Sequence, residues 1–393
     1  MTAATITGSA AAQQGTGAQL AASTQPAAAA NGFHSLRVSS VEAVSIDGSA
    51  MMLGFDVPHE LRPRYAFAAG QHVTVRITVA GVEVRRPYSL CSTPTELART
   101  GELRIGVRTV PGGAFSLHAA GLRIGDPLEV MTPRGSFTTA LDPGRQRHYA
   151  AVVAGSGVTP LMSLVASALD VEAGSTFTLL YANRGPASTM FIDELAQLKD
   201  RFLDRFELYH LVSRGERREG LRPGRPDAER LAELLPLILD TAGVDEWFLC
   251  GPRELCHSAE SVLTDAGVSQ GRIRSELFHA PTGGTTAIST LSTTAASPAA
   301  SRGILTTLAF GSRANTPILA GKTVLDSALV VNPELPYSCT TGVCGTCRAM
   351  LVAGEVEVGD QWALSPDEIA SGQILTCQAR PRSSALTIDY DVS

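Results

Sequence analysis

"YAAVVAGSGVTPLMSLVASALD", residues Tyr149–Asp170, runs from an apolar stretch through a glycine turn into a helical pattern. Tyr149–Ala154 reads as a buried strand and Thr159–Asp170 as the helix behind it. Between them lies G-x-G-x-x-P, formed by Gly155, Gly157 and Pro160, with Thr159 at the helix start. Proline suits a first helical turn because its missing N–H would have no intrahelical partner there. A lone G-x-G is weak evidence, but one that follows a strand and opens a helix has the context a dinucleotide pyrophosphate needs. Downstream, "TFTLLYANR", "FELYHLVS" and "EWFLCGP" alternate with helical patterns such as "MFIDELAQLKDRF", "DAERLAELLPLIL" and "RELCHSAESVLTDAG". This alternation predicts an α/β doubly wound domain over 146–279, with a parallel sheet and helices on both faces.

Ligands bind at the carboxyl ends of such strands. Cys250, at the end of "FLCGP", is therefore a candidate neighbour of a reacting ring, although a buried core thiol would look the same. Arg184 and Arg214 follow two other strand ends, and no Asp or Glu closes "TFTLLYANR". Arginine there suits a ribose 2′-phosphate, where an acidic residue would suit NAD, so the expected dinucleotide is NADPH, with NADH the alternative.

Upstream, residues 33–145 break into short β-like runs punctuated by Gly and Pro, as expected of a small antiparallel barrel. The run "RRPYSLCS" holds R-x-Y-S at Arg86, Tyr88 and Ser89. Arginine can neutralise a pyrophosphate, tyrosine can pack on a flat aromatic ring, and serine can hydrogen-bond a ring nitrogen. "PGGAFS" adds Gly113 and Ser116, a glycine turn whose backbone N–H groups suit a phosphate and which, read alone, is equally a plain turn.

The third region is marked by "YSCTTGVCGTC", residues Tyr337–Cys347. Its spacing, C-x4-C-x2-C over Cys339, Cys344 and Cys347, differs from the paired C-x2-C of zinc ribbons and matches that of plant-type [2Fe–2S] proteins. That spacing calls for one distant fourth ligand, and Cys377 is the one remaining downstream cysteine. Gly342 and Gly345 suit a loop that turns sharply and aims N–H groups at sulfur.

The whole chain sets bounds on these readings. It has 393 residues, 44% of them hydrophobic and 18% charged, with a net charge of −6. The charge argues against nucleic acid as a partner. No apolar run is long enough to cross a bilayer, and the first 32 residues lack the basic and apolar parts of a secretory signal, so no membrane association is expected and a cytoplasmic location is. Residues 1–32 have almost no large apolar side chains and are expected to be a disordered tail. Residues 280–302, rich in Ser, Thr and Ala, are expected to be a flexible linker, leaving a mixed strand-and-loop domain at 303–393.

Together and in order, R-x-Y-S, G-G-x-F-S, G-x-G-x-x-P, C-G-P and C-x4-C-x2-C…C resemble the ferredoxin–NADP reductase superfamily with a fused C-terminal plant-type ferredoxin. The likeness covers about Phe33 to Ser393. Within it, "FHSL", "VEVRRPYSLC", "MFIDELAQLKDRF", "LPYSCTTGVCGTC" and "LSPDEIASGQILTCQARP" are similar to the reductase subunits of phenylacetyl-CoA epoxidases, and the 3-ketosteroid hydroxylase reductases share much of "YSLCSTP" and "LLYANR". The resemblance implies a flavin barrel, a dinucleotide domain and a β-grasp [2Fe–2S] domain. The residues alone leave FAD and FMN open, and the resemblance implies FAD. It places Arg86 on the FAD pyrophosphate, Tyr88 on the isoalloxazine, Ser89 facing its N5, and Gly113 and Ser116 at the remaining phosphate contacts. Gly155, Gly157, Thr159 and Pro160 would cradle the nicotinamide dinucleotide, with Cys250 and Gly251 beside the nicotinamide and Phe278 bordering the flavin. Electrons would then pass to an oxygenase component, either a diiron epoxidase or a Rieske hydroxylase. A redox-sensing or binding module without rapid turnover would carry the same motifs.

Overall fold

The structure is a computed structural model and describes residues 4–8, 32–213, 224–278 and 301–392. Arg214 and nearly all of 280–302 lie outside the described residues. Two compact units result, one holding the barrel and the parallel sheet, the other the C-terminal domain with the N-terminal strand.

The N-terminal strand is β1 (Ala4–Gly8). The barrel follows with β2 (Phe33–Ala43), β3 (Ala50–Asp56), β4 (His72–Val79), β5 (Val82–Ser89), β6 (Glu102–Arg108) and β7 (Pro127–Met131). Their order is β5-β4-β7-β2-β3-β6, and a bridge between Leu90 and Ile105 brings the two ends of that order together. Leu53, Phe55, Val73, Val75, Leu103, Ile105 and Val130 fill its interior, as alternating strand residues do when one face is buried. Helices α1 (Pro94–Thr100) and α2 (Ala114–Ala119) flank β6. A capping box between Thr93 and Glu96 starts α1.

The parallel sheet comprises β8 (His148–Ala154), β9 (Thr176–Asn183), β10 (Phe206–Val212), β11 (Glu246–Gly251) and β12 (Ile273–Leu277), in the order β10-β9-β8-β11-β12. Strand order reverses between β8 and β11. Crevices at such switch points are where doubly wound sheets bind ligands. Helices α3 (Thr159–Val171), α4 (Ile192–Arg201), α5 (Ala228–Ile238) and α6 (Arg253–Asp265) complete this half. Tyr149, Phe177 and Phe248 stack in its core, and Phe137 meets Phe248 edge-on at 5.4 Å.

In the other unit, β13 (Ser301–Ala309), β14 (Ser312–Leu319), β15 (Arg348–Val358), β16 (Gln373–Leu375), β17 (Ala379–Pro381) and β18 (Ala385–Asp389) form a mixed sheet, packed by α7 (Val324–Ala328) and α8 (Pro366–Ala370). β13 lies parallel to β18 and antiparallel to β14.

Two sequence expectations need correction. Ala4–Gly8, expected to be disordered, pairs antiparallel with β15, Ala4 opposite Val358 and Gly8 opposite Gly354. The reason is local: Thr-Ile-Thr favours extended backbone, and β15 carries β17 on its other edge, leaving this one to accept a strand. β13 also starts at Ser301, inside the stretch expected to be linker. Among the described residues, no helix is long and apolar enough to cross a membrane.

Candidate functional site

Strand alternation explains the R-x-Y-S spacing. Arg86 and Tyr88 are two apart on β5 and so share a face. Tyr88 packs against Phe115 of α2, ring centroids 4.9 Å apart, and burial pushes its phenol up. Arg86 Nη1 donates to the Arg85 carbonyl at 2.7 Å, which fixes the guanidinium beside that face. The turn 110–116 is closed by Ser116, whose hydroxyl accepts from Val110 N at 3.2 Å and donates to Gly113 O at 3.3 Å. Gly113 has an ordinary negative φ. It must be glycine because a Cβ there would lie 2.5 Å from both Ser116 Oγ and Val110 Cγ2.

The glycines of the dinucleotide turn have separate tasks. Gly155 takes φ +56°, in the left-handed region. Gly157 is pressed onto the end of β11, where a Cβ would collide with Cys250 O. Gly251, with φ +149°, packs against Ala154, whose N and O would lie 3.2 and 3.3 Å from a Cβ there. Thr159 Oγ1 donates to Ser156 O at 2.8 Å, and Pro160 lies in the first turn of α3. The turn and the ends of β8 and β11 thus meet at the switch point, where Ala154–Ser156 are half-buried and Gly157–Pro160 are buried.

Ser89 leaves β5 at this junction. Its hydroxyl donates to Glu276 Oε2 at 3.3 Å, and Glu276 is the register partner of Cys250. His72 Nδ1 lies 3.9 Å from Glu276 Oε1, and Gly135, in the left-handed region, is tucked against the His72 ring. Burial raises the Glu276 carboxyl from its ordinary 4.5 to about 7, with the Ser89 hydrogen bond opposing. Burial also pushes the Cys250 thiol well up, so Cys250 stands there as a neutral thiol. Sequence reasoning misses Glu276; an isolated carboxylate in a short last strand, "IRSEL", is its one signal. Phe278 is anchored by its N–H to Gly251 O at 2.9 Å and packs against the core of the parallel sheet. Arg184 is exposed just beyond β9.

In the C-terminal unit the four cysteines come together. Cys344, Cys347 and Cys377 are buried and Cys339 is half-buried. They interact chiefly as two pairs, Cys339 with Cys344 and Cys347 with Cys377. Two thiol pairs suit a two-iron cluster, in which each iron takes two protein ligands. The loop is bent by Thr340, Gly342 and Gly345, all at positive φ. It aims donors at sulfur: Thr341 N at Cys339 Sγ (3.4 Å), Thr346 N at Cys344 Sγ (3.5 Å) and Gln378 Nε2 at Cys377 Sγ (3.7 Å).

Comparison with known proteins agrees with this geometry. Residues 35–139 match an oxidoreductase FAD-binding domain, 152–261 an oxidoreductase NAD-binding domain, and 310–382 a 2Fe-2S iron-sulfur cluster binding domain. The chain is 36% identical to a subunit of the 1,2-phenylacetyl-CoA epoxidase of Escherichia coli (strain K12), over 91% of this chain and 98% of that one. It is 31% identical to the ferredoxin reductase component of 3-ketosteroid-9-alpha-monooxygenase from Rhodococcus rhodochrous, over 90% and 96%. The solved structure of phthalate dioxygenase reductase matches at a TM-score of 0.53 and 24% identity, over 91% of this chain and 98% of that one. The chain therefore belongs to the ferredoxin–NADP reductase superfamily, among the oxygenase reductases that join FAD-binding, dinucleotide-binding and [2Fe–2S] domains in one polypeptide.

Proposed function

We propose that this chain draws electrons from NADPH and delivers them to the diiron oxygenase subunits of a phenylacetyl-CoA epoxidase in the cytoplasm. The observation that carries this reading is the 36% identity to a 1,2-phenylacetyl-CoA epoxidase subunit, which runs through all three domains. FAD takes a hydride as an electron pair and releases electrons singly, which is how a [2Fe–2S] cluster accepts them.

The protein's part is positioning and electrostatics. Arg86 counters the FAD pyrophosphate and Tyr88 lays its ring beside the isoalloxazine. Gly113 and Ser116 shape the second phosphate turn. Gly155, Gly157, Thr159 and Pro160 hold the dinucleotide pyrophosphate, and Arg184 with Arg214 takes the 2′-phosphate. Ser89, Cys250, Gly251 and Phe278 border the reacting rings, and Glu276 holds a proton behind Ser89 near neutral pH. Cys339, Cys344, Cys347 and Cys377 ligate the cluster. The second reading, reductase of a Rieske 3-ketosteroid hydroxylase, is supported by 31% identity to such a component.

Affinity purification of the tagged chain, followed by an NADPH-dependent epoxidation assay on phenylacetyl-CoA, separates the two. Recovery of diiron oxygenase subunits and epoxide formation are expected. Turnover with a Rieske hydroxylase in their place would overturn the pathway and leave the reductase reading standing. A chain whose flavin NADPH does not bleach would be a binding or sensing module.

A further inference from the structure

The segment 184–191, between β9 and α4, is tied on two sides. Toward the dinucleotide turn, the buried Tyr181 hydroxyl donates to Gly155 O at 3.0 Å, accepts from Met190 N at 3.3 Å and lies 3.4 Å from Met190 O. Toward the barrel, Arg108 Nη2 donates to Ser188 O at 2.7 Å, Asp47 N donates to Ala187 O at 3.0 Å, and Phe191 N donates to Val44 O at 2.8 Å. Arg108 Nη1 also reaches Ser49 Oγ at 3.4 Å, while its buried Nε has no hydrogen-bond partner among the described residues.

Phe191 closes the segment at φ +59°, strained for a large side chain. Its ring lies on Gly106 of β6, where a Cβ would come within 2.9 Å of Phe191 Cζ. A buried donor left open and a strained residue both oppose folding. Both lie on one bridge, which joins the end of β6, where the 110–116 turn begins, to Gly155.

We propose that Tyr181 and Arg108 are positioning residues that hold the Gly155 turn in register with the flavin barrel, so that the nicotinamide meets the flavin at hydride-transfer geometry. This rests on reading Gly155–Pro160 as the dinucleotide cradle. Tyr181 acts through the Gly155 carbonyl, and Arg108 through the Ser188 carbonyl. Both work on backbone, so their loss misaligns the reactants more than it weakens binding. Misplacement of about 1 Å can cost on the order of 100-fold in rate. Partial release by a single lost hydrogen bond is expected to cost about tenfold.

The test uses the FAD-loaded full chain. Anaerobic stopped-flow mixing with NADPH gives the limiting rate of flavin bleaching, and calorimetric titration with NADP+ gives an equilibrium affinity. Tyr181→Phe and Arg108→Gln should each lower the limiting rate about tenfold and change NADP+ affinity by less than about threefold. Arg108→Lys, which keeps one donor for Ser188 O, should recover most of the rate, and Tyr181→Phe carries the test if Arg108→Gln fails to fold. The double variant should lose less than the product of the two single losses, because both act on one segment. Wild-type limiting rates in both Tyr181→Phe and Arg108→Gln, or in Tyr181→Phe alone where Arg108→Gln does not fold, would overturn the proposal. So would a loss of NADP+ affinity as large as the loss of rate. Gly157→Ala is the control for the cradle: unchanged NADP+ binding there would remove the cradle reading itself, while lost binding there beside a normal Tyr181→Phe would remove only the positioning inference.

Discussion

Six of the seven cysteines fall into two groups that differ in the backbone around them. Cys250 and Cys256 sit on regular elements, the end of β11 and the first turns of α6. Burial pushes both thiols up, Cys256 to about 12. Strand and helix spend their N–H groups on their own ladders, so the neighbours of Cys256 Sγ are the carbonyl oxygens of Gly251 and Glu276, each at 3.9 Å. Cys339 and Cys344 sit on an irregular loop whose backbone turns N–H groups toward sulfur. There the Cys344 contact and the Thr341 N–H hold the Cys339 thiol well below its ordinary range, against burial, while the Cys339 contact and burial hold Cys344 well above it. Backbone form thus decides what a thiol can do. A regular element leaves its thiol among carbonyl oxygens, and an irregular loop offers its thiols N–H donors.

Removing one loop thiol puts the most weight on this contrast. Cys377→Ala should abolish the cluster's visible absorption and cut electron delivery to cytochrome c by more than about 100-fold, since loss of a ligand exceeds the cost of a supporting contact. Flavin bleaching by NADPH should persist in that variant. A retained cluster would show that Cys377 is not a ligand. Gly157→Ala probes the Cys250 end of β11, because the new methyl would collide with Cys250 O. Overpacking of this kind costs about 1–3 kcal/mol, so NADPH affinity should fall roughly tenfold or more with FAD and cluster content unchanged; normal affinity would remove the reading of Gly155–Pro160 as the dinucleotide cradle.

Glu276→Gln tests the charge beside that strand end. The folded carboxyl titrates near 7, above its ordinary 4.5. Its proton is thus held more tightly in the folded protein, a contribution present below about 4.5 and lost as pH rises through about 7. The wild-type protein should melt lower at pH 8 than at pH 5, and the glutamine variant should lose part of that difference; equal shifts in both would place the titration elsewhere. Cys256→Ser should have the smallest effect, within about twofold on flavin bleaching, because a hydroxyl can face the same two carbonyls. Loss of the cluster in that variant would erase the separation of the two groups.

Much of this is legible in the sequence. The period-3.6 patterns at 192–201 and 253–265 are α4 and α6 in the fold, because long amphipathic elements carry enough apolar repeats to be read singly. The thiol spacing names its own chemistry. Helices α1 and α8 escape such a reading, although Thr93 with Glu96 and Ser365 with Glu368 form capping boxes; each helix is too short for periodicity to register. Glu276, Tyr181 and Arg108 are not legible for another reason. Their partners Ser89, Gly155 and Ser188 are distant in the chain or on other elements, and only the fold brings them together. Strand β1 is hidden by composition, since five residues of β-forming sequence are diluted in an Ala- and Gln-rich stretch.

Whether electrons enter at the flavin and leave through the cysteine loop is decided by anaerobic stopped-flow mixing of the purified chain with NADPH, followed at flavin and cluster wavelengths. The flavin band should bleach first and the cluster band follow, with the second phase absent in Cys377→Ala. Cluster bleaching that precedes the flavin, or that survives loss of Cys377, would contradict this order.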